Sequence, residues 1–322
     1  MTQCTQTIRT EDLLSLDVGR VSFDECLKSH NTWRIGGRAA VMVFPENIAQ
    51  LSNALAYVHQ NGLNHLTIGA GSNLLFSDSD INSIVIKIGP SMSGCDIEDT
   101  LMTVQAGLSI PRLARQAYAA GLGGLEHTVG IPGTLGGLVA MNGGSLGSSI
   151  GTVVQAVRCV DPAGNIVEFD NASCEFSYRH SFFLENDLTV AEVQLQLEHK
   201  QPEAIFSEML EILRQRRQKF PRRQPNCGCV FKRNVELFKT FVPPGKVIED
   251  LGLKGFSIGD AQVSDRHAGF IVNTGHARAS DVLELIHTVR DCVFEATGFW
   301  LDCEVRYVGP TGNIQPAHLP VV

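Results

Sequence analysis

Glycine occupies ten of the positions from Gly121 to Gly147, in the run Gly121-Leu-Gly-Gly-Leu-Glu-His-Thr-Val-Gly130-Ile-Pro-Gly-Thr-Leu-Gly-Gly-Leu-Val-Ala-Met-Asn142-Gly-Gly-Ser-Leu-Gly147. Backbone stripped of side chains can approach another surface closely and present its N–H groups to it. A flexible linker would carry serine and lysine among its glycines. This stretch carries Leu125, Val129, Ile131, Leu135, Leu138, Val139 and Met141 instead, and those side chains need a core. It therefore reads as a packed, turn-rich segment with its backbone exposed to a ligand.

Length and charge narrow what that ligand can be. A chain of 322 residues accommodates two or three domains. A net charge of −8 argues against general affinity for nucleic acid or an anionic membrane surface, so an anionic ligand must be held locally. The first residues show no basic start followed by an apolar run, and no 18-residue apolar stretch occurs, so the expectation is a cytoplasmic protein with no membrane partner. The nine cysteines are odd in number and scattered, as small buried hydrophobes would be. Cys227 and Cys229 form a Cys-x-Cys pair with no second pair to match, and no metal site is expected.

Periodicity places the elements. Ala39–Phe44 reads as a buried strand closed by Pro45, and Ile48, Leu51, Leu55 and Val58 recur as one face of a helix that Asn61-Gly62 stops. His65–Ile68 is a short strand running into Gly69-Ala-Gly-Ser-Asn73-Leu-Leu-Phe76, which lacks both the G-x-G-x-x-G and the Gly-Lys-Ser/Thr patterns. Unobstructed N–H groups with Ser72 and Asn73 beside them suit a phosphate cradle, and equally a simple turn. Strands are expected at Ser83–Ile88 and Leu101–Gln105, and a helix capped by Ser109 with Leu113, Ala114 and Ala117 inward. A hairpin follows over Thr152–Val160 and Ile166–Phe169, then a strand over Leu188–Leu197.

Near residue 200 the texture changes. A helix with Ile205, Met209, Ile212 and Leu213 inward ends in the basic segment Arg214–Arg223, readable either as an anion site or as a solvated helix end suited to the dipole. Phe270–Val272 is a strand, Val282, Leu283, Ile286, Val289 and Val293 line a helix from Ser280, and Trp300–Val308 alternates as a final strand. Arg179 among aromatic residues and Glu304 in a half-apolar strand stand where charge is costly. Together in a pocket they could stabilise and protonate a developing enolate; apart, they are an ion pair or two exposed residues.

Eight motifs stand in order along residues 30 to 309: Asn31-Thr-Trp-Arg-Ile-Gly-Gly; Gly69-Ala-Gly-Ser-Asn-Leu-Leu; Gly124-Leu-Glu-His-Thr-Val-Gly-Ile-Pro-Gly-Thr-Leu-Gly-Gly with Met141-Asn-Gly-Gly; Tyr178-Arg-x-Ser; Gly228-Cys-Val-Phe-Lys; Gly245-Lys-Val-Ile-Glu-Asp-Leu-Gly-Leu-Lys-Gly; His267-Ala-Gly-Phe-Ile-Val-Asn; and Leu301-Asp-Cys-Glu-Val-Arg. In this order and spacing the chain resembles the UDP-N-acetylenolpyruvoylglucosamine reductases, flavoenzymes of bacterial cell-wall precursor synthesis.

The resemblance implies an α+β fold in which a two-lobed FAD-binding domain, of the vanillyl-alcohol-oxidase (PCMH) type, precedes a smaller α+β substrate domain. The corresponding boundaries are a lead-in over residues 1–29, an FAD-binding domain over 30–199 with lobes at about 30–95 and 96–199, and a substrate domain over 200–322. In the family NADPH gives a hydride to FAD, and the reduced flavin gives it to the vinyl group of a UDP-sugar enolpyruvyl ether, yielding UDP-N-acetylmuramate. Carried over residue by residue, the cofactor contacts are Gly69, Ala70, Gly71, Ser72, Asn73 and Leu74, then Gly130, Ile131, Pro132, Gly133, Thr134, Gly136, Gly137 and Asn142. The catalytic residues are Arg179, Glu304 and Cys229. Tyr178, Arg217, Lys219, Lys232 and Arg306 are expected on the substrate.

Two departures mark this chain. Cys229 stands where the family has a proton-donating serine, and a thiol, with a pKa of about 8.5, is the stronger acid. Phe231-Lys-Arg-Asn234 replaces Phe-Lys-Asn-Pro. The interval from Arg179 to Cys229 is too short for the tyrosine-bearing loop of one subclass, so the shorter subclass and a monomer are expected. Two alternatives remain: a paralogous flavin oxidoreductase acting on another nucleotide sugar or an alcohol, and a non-catalytic nucleotide-binding regulator.

Overall fold

The computed structural model describes residues 10–233 and 243–320, in two compact units that are interleaved along the chain. The first runs to Phe23 and takes in Val41–Ala70 and Ser83–Arg214; the second comprises Asp24–Ala40, Gly71–Asn82 and the chain from Gln215 onward. A division into continuous blocks at residues 29 and 199 differs from this pattern. The second unit recruits Gly71–Asn82 because the strand Leu74–Phe76 pairs in parallel with Arg306–Val308, a partner far along the chain.

The first unit contains a five-stranded antiparallel sheet in the order Ile166–Asp170, Val154–Val160, Thr189–Gln196, Leu101–Gln105, Cys95–Glu98. Val157, Val193 and Val104 lie opposite one another across three of these strands, and all three are buried. β-Branched residues on one pleated face, in register, pack as a continuous apolar row. The glycine-dense segment lies against this sheet through the helix Leu135–Ala140, whose Gly136 N–H donates to Ala106 O at 2.8 Å. A Cβ at Gly136 would stand 3.0 Å from that of Ala106, so glycine permits the approach. Leu125, Val129, Leu135, Leu138 and Val139 are buried, as a packed segment requires. His65–Ile68 pairs in parallel with Ile81–Lys87, and the helix Ile48–Gln60 buries Leu51, Leu55 and Val58.

The second unit packs the helix Ala279–Thr297 on the antiparallel sheet Asn226–Cys229, Phe270–Asn273, Ala261–Val263, Ser257–Ile258. Trp33 is fully buried in this core and donates from Nε1 to Ile271 O at 2.8 Å, while Asn273 Nδ2 donates to Trp33 O. Burying an indole without such a partner would cost on the order of 1–3 kcal/mol.

Several local expectations are corrected. Only Arg306–Val308 of the stretch from Trp300 is a strand. Upstream, the backbone is committed elsewhere: Cys303 N–H donates to His318 Nδ1, Glu304 N–H to Val230 O, and Leu301 O accepts from Arg290. Ser109 precedes the helix Ile110–Ala119 but makes no capping bond with its side chain. On the helix Pro202–Lys219, Ile205, Met209 and Ile212 are buried while Leu213 is exposed; on Ala279–Thr297, Leu285 is fully buried and Leu283, partly buried, packs against the same core. Among the described residues no helix is long and apolar enough to cross a membrane, and no cluster of three or more metal-ligating side chains occurs.

Candidate active site

In the first unit, two glycine motifs far apart in sequence meet. A Cβ at Gly69 would stand 2.2 Å from Thr134 Oγ1, so the turn after His65–Ile68 touches the start of the helix Leu135–Ala140 through a glycine that nothing larger can replace without displacement. Gly133 (φ +146°) turns the chain there, and its carbonyl accepts from Ile110 N–H. Lys87 Nζ donates to Gly69 O at 2.5 Å, and burial lowers the Lys87 pKa to about 8. Pro132 and Gly137 are exposed, with Gly130, Ile131, Gly133 and Gly136 half-buried, so this backbone is reachable by a ligand. The arrangement fits a nucleotide cofactor lying against bare backbone: glycine at 69 lets the turn pack on Thr134, and the backbone around Pro132 and Gly137 stays exposed beside it.

Arg179 belongs to the same unit. Ser177 and His180 bond to each other across a tight turn, leaving Tyr178 and Arg179 at its tip, Arg179 with φ +55°. Its Nη2 lies 3.5 Å from Gly144 O and its guanidinium 5.4 Å from the Tyr178 ring. Asn142 braces this turn, donating from Nδ2 to Ser177 O and accepting at Oδ1 from Gly151 N–H. Asn142, expected on the cofactor, bonds through its side-chain amide to the Arg179 turn at Ser177 and to Gly151. Nearby, buried Glu126 pairs with Lys200 at 2.8 Å, and its neighbour His127 has a buried Nε2 with no hydrogen-bond partner among the described residues.

In the second unit the backbone brings Cys229 and Glu304 together. Glu304 N–H donates to Val230 O at 2.8 Å, Lys232 N–H to Asp302 O at 2.8 Å, and Phe231 bridges Cys303, so the chain after Cys229 runs antiparallel to Asp302–Glu304. Asn73 holds this segment from the other side: Nδ2 donates to Glu304 O at 3.0 Å and its carbonyl accepts from Arg306 N–H at 3.1 Å. Gly71 (φ +64°) is buried, and a Cβ there would stand 2.4 Å from His30 O. Gly69 and Ala70 thus belong to the first unit, while Gly71, Ser72, Asn73 and Leu74 belong to the second.

The two neighbouring cysteines part company. Residues two apart on a regular strand share a face. Here the register shifts between Asn226 and Cys229, and Gly228 (φ +80°) turns the chain, so Cys227 is buried and Cys229 exposed. Burial pushes the Cys227 thiol up to about 12, with Leu74 O accepting from it at 3.4 Å.

Arg217 and Lys219 are exposed at the end of their helix, where Lys219 Nζ is 5.9 Å from the Phe220 ring. Arg216, which sequence reasoning passed over, is half-buried with its guanidinium 4.9 Å above the same ring. The signal was the arginine–phenylalanine pair at i and i+4. Lys232 and Arg306 are half-buried in the second unit, and Tyr178 is exposed in the first. Asn234 lies outside the described residues.

Comparison with known proteins identifies this arrangement. Residues 39–170 match the family described as FAD binding domain, and residues 220–308 match the C-terminal domain of UDP-N-acetylenolpyruvoylglucosamine reductase. The fold and the first unit's glycine cradle therefore define an FAD-dependent oxidoreductase. The chain is 42% identical over 299 residues to UDP-N-acetylenolpyruvoylglucosamine reductase 1 of Corynebacterium glutamicum, covering 93% of this chain and 89% of that protein. It is 37% identical to the reductase of Clostridioides difficile over 90% of this chain and 93% of that protein. The crystal structure of the reductase from Thermus caldophilus superposes with a TM-score of 0.76 at 32% identity, covering 89% of this chain and 98% of the other. This chain belongs to the UDP-N-acetylenolpyruvoylglucosamine reductase family.

Proposed function

We propose that this protein reduces the enolpyruvyl ether of UDP-N-acetylglucosamine enolpyruvate to UDP-N-acetylmuramate in peptidoglycan precursor synthesis, with FAD bound and NADPH as the reductant. The cofactor is assigned to residues 30–199 and the UDP-sugar to residues 200–322, in line with the two family matches. FAD, when bound, supplies the hydride that adds to the terminal vinyl carbon. The protein's own part is to hold the substrate and manage the charge and the proton.

Adding hydride to that carbon builds negative charge on the carbon beside the carboxylate. Arg179, on its braced turn, offers a fixed positive charge to the enolate oxygens. Cys229, exposed at the end of its strand, supplies the proton that completes the new C–H bond. Glu304, held through Val230 O and Asn73, polarises the same intermediate. Gly69–Leu74 and Gly130–Gly137 receive the cofactor. Arg217 and Lys219 face the diphosphate, while Tyr178, Lys232 and Arg306 line the reacting end.

The observation that supports this reading is the backbone bond from Glu304 N–H to Val230 O, which joins the Glu304 backbone to the residue after the exposed Cys229, with the family match running through both. Anaerobic stopped-flow tests it: flavin bleached by NADPH recovers its absorbance on addition of UDP-N-acetylglucosamine enolpyruvate, with UDP-N-acetylmuramate formed. Flavin that bleaches with NADPH but does not recover with this acceptor refutes the substrate assignment.

A further inference from the structure

We propose that Arg216 is a positioning residue for Cys229: its guanidinium occupies the face of the second unit that bears the thiol and stabilises the thiolate left when the proton is given up. This rests on reading Cys229 as the proton donor.

Three contacts lead from one side chain to the other. The Arg216 guanidinium sits 4.9 Å above the centre of the Phe220 ring. Phe220 stacks on Phe270, with centroids 5.0 Å apart and ring planes 28° from parallel. Phe270 is the residue directly across from Cys229 in the antiparallel pair of Asn226–Cys229 with Phe270–Asn273. Directly opposed residues in such a pair share a face, with Cβ atoms about 4.5–5.5 Å apart. The ladder continues past this pair, since Val230 N–H donates to Gly269 O at 2.9 Å. Arg216, Phe220, Phe270 and Cys229 therefore lie on one face.

Charge runs the same way. Burial lowers the Arg216 pKa, and charge at Cys229 acts against that lowering. Two opposite charges at short range stabilise each other reciprocally. The other titratable groups around this face include Lys219 above the Phe220 ring, His267 with its ring 5.3 Å from Phe220 and the charges of Lys254 and Glu249 acting on it, the exposed Arg266 donating to Gln218 O, and Glu304, Asp302 and Lys232 on the segments bonded beside Val230. Burial and then the Lys219 charge lower the His267 pKa, which favours its neutral form. Arg216 is thus the permanent charge of the set that is both half-buried and anchored on the ring packed against Phe270.

The chemistry explains why a cysteine needs this partner. When the donor gives its proton to the substrate carbon, the S–H bond breaks, a C–H bond forms, and the electron pair stays on sulfur. A thiolate beside a guanidinium is a stable resting place for that pair, and water returns the proton afterwards.

The test measures the thiol itself, in the full-length protein. Alkylation by iodoacetamide is followed from pH 5 to 10 by mass spectrometry of the peptide carrying Cys229. The expected midpoint lies below the ordinary thiol value of about 8.5. Arg216→Gln is expected to raise it by about one unit, lowering the alkylation rate at pH 7 about tenfold, with Arg216→Lys restoring most of the rate. Phe220→Leu, which removes the ring beneath the guanidinium, should shift the midpoint in the same direction and decides the matter if Arg216→Gln does not fold. A purely structural role for Arg216 would change accessibility and leave the midpoint in place, so equal midpoints in wild type and a folded variant overturn the proposal. The proton-donor reading fails separately, if Cys229→Ala is reoxidised by substrate at the wild-type rate, and the alkylation midpoint still reports on Arg216 in that case.

Discussion

Arg179 and Cys229 are presented by opposite means. Arg179 sits in the first unit on a turn built from unusual backbone: its own φ is +55°, and that of Asn142, whose amide bonds to the turn, is +41°. Left-handed conformations at residues other than glycine cost on the order of 1–3 kcal/mol each unless their surroundings impose them. Here the Asn142 amide imposes the geometry through its bonds to Ser177 and Gly151. Cys229 sits in the second unit at the end of a ladder-bonded strand, beside stacked rings that carry the cations of Arg216 and Lys219. The lesson is that a fixed electrostatic stabiliser can be held by a strained, braced turn, whereas a group that must exchange a proton is better placed at an exposed strand end with its charge set by neighbours.

The sharpest way to break the comparison is at the two functional groups. Cys229→Ala should leave flavin reduction by NADPH intact and slow reoxidation by the substrate by about 10²–10⁴-fold, the usual scale for a lost proton donor. Stopped-flow absorbance resolves the two halves, and collapse of flavin reduction alone would contradict the assignment. Arg179→Ala should lower the same second step by about 10²–10³-fold, as loss of one preorganised electrostatic contact does.

Smaller effects sharpen the contrast in how each group is held. Asn142→Ala loses two part-buried hydrogen bonds while keeping a Cβ in a left-handed conformation, and should cost about 2–4 kcal/mol in urea unfolding. Asn142→Gly relieves the conformation without restoring the bonds, so it should be less damaging than alanine. Equal losses would mean that the backbone conformation contributes nothing. Asn226 is the counterpart amide on the Cys229 side, accepting at Oδ1 from Gly228 N–H at 3.0 Å and donating from Nδ2 to Gln224 O at 2.8 Å, but it braces ordinary strand-end backbone with a glycine at the bend.

The smallest expected effect is on stability against pH. Burial lowers the pKa of His127, opposed by the Glu126 and Glu208 charges, and burial likewise lowers those of His65, His267 and His318. Below their unfolded value of about 6.5 the unfolded chain binds protons that the folded chain resists, so stability is full above that pH and declines as pH falls through it. Melting temperatures at pH 7.5 and 5.0 should show the fall, and His127→Leu should reduce it. An unchanged slope would place the effect on the other three histidines.

Much of this protein was legible without coordinates. Four strands of the five-stranded sheet and the helix Ala279–Thr297 follow from apolar spacing, because periods of two and 3.6 residues are local properties of the chain; the edge strand Cys95–Glu98, mostly exposed, carries no such period. The glycine run announced its own packing, since Leu125, Val129, Leu135, Leu138 and Val139 could be read as core. Family motifs named Arg179, Cys229 and Glu304. The alternation over Trp300–Val308 misled for a definable reason: Cys303 and Glu304 bond to His318 and Val230 rather than to a neighbouring strand throughout.

What the sequence determined by itself was therefore everything set by neighbours within a few residues: element type, the apolar faces, and the motif string that marks the family. Only the tertiary structure decided which of two cysteines faces solvent, that Phe220 stacks on Phe270, and that Asn73 holds Glu304 and Arg306. Those outcomes depend on a register shift, a ring stack and a parallel strand pair linking residues 74–76 to 306–308. Such contacts join segments whose meeting no local period encodes, and burial, which sets both charge and reactivity, exists only once they have formed.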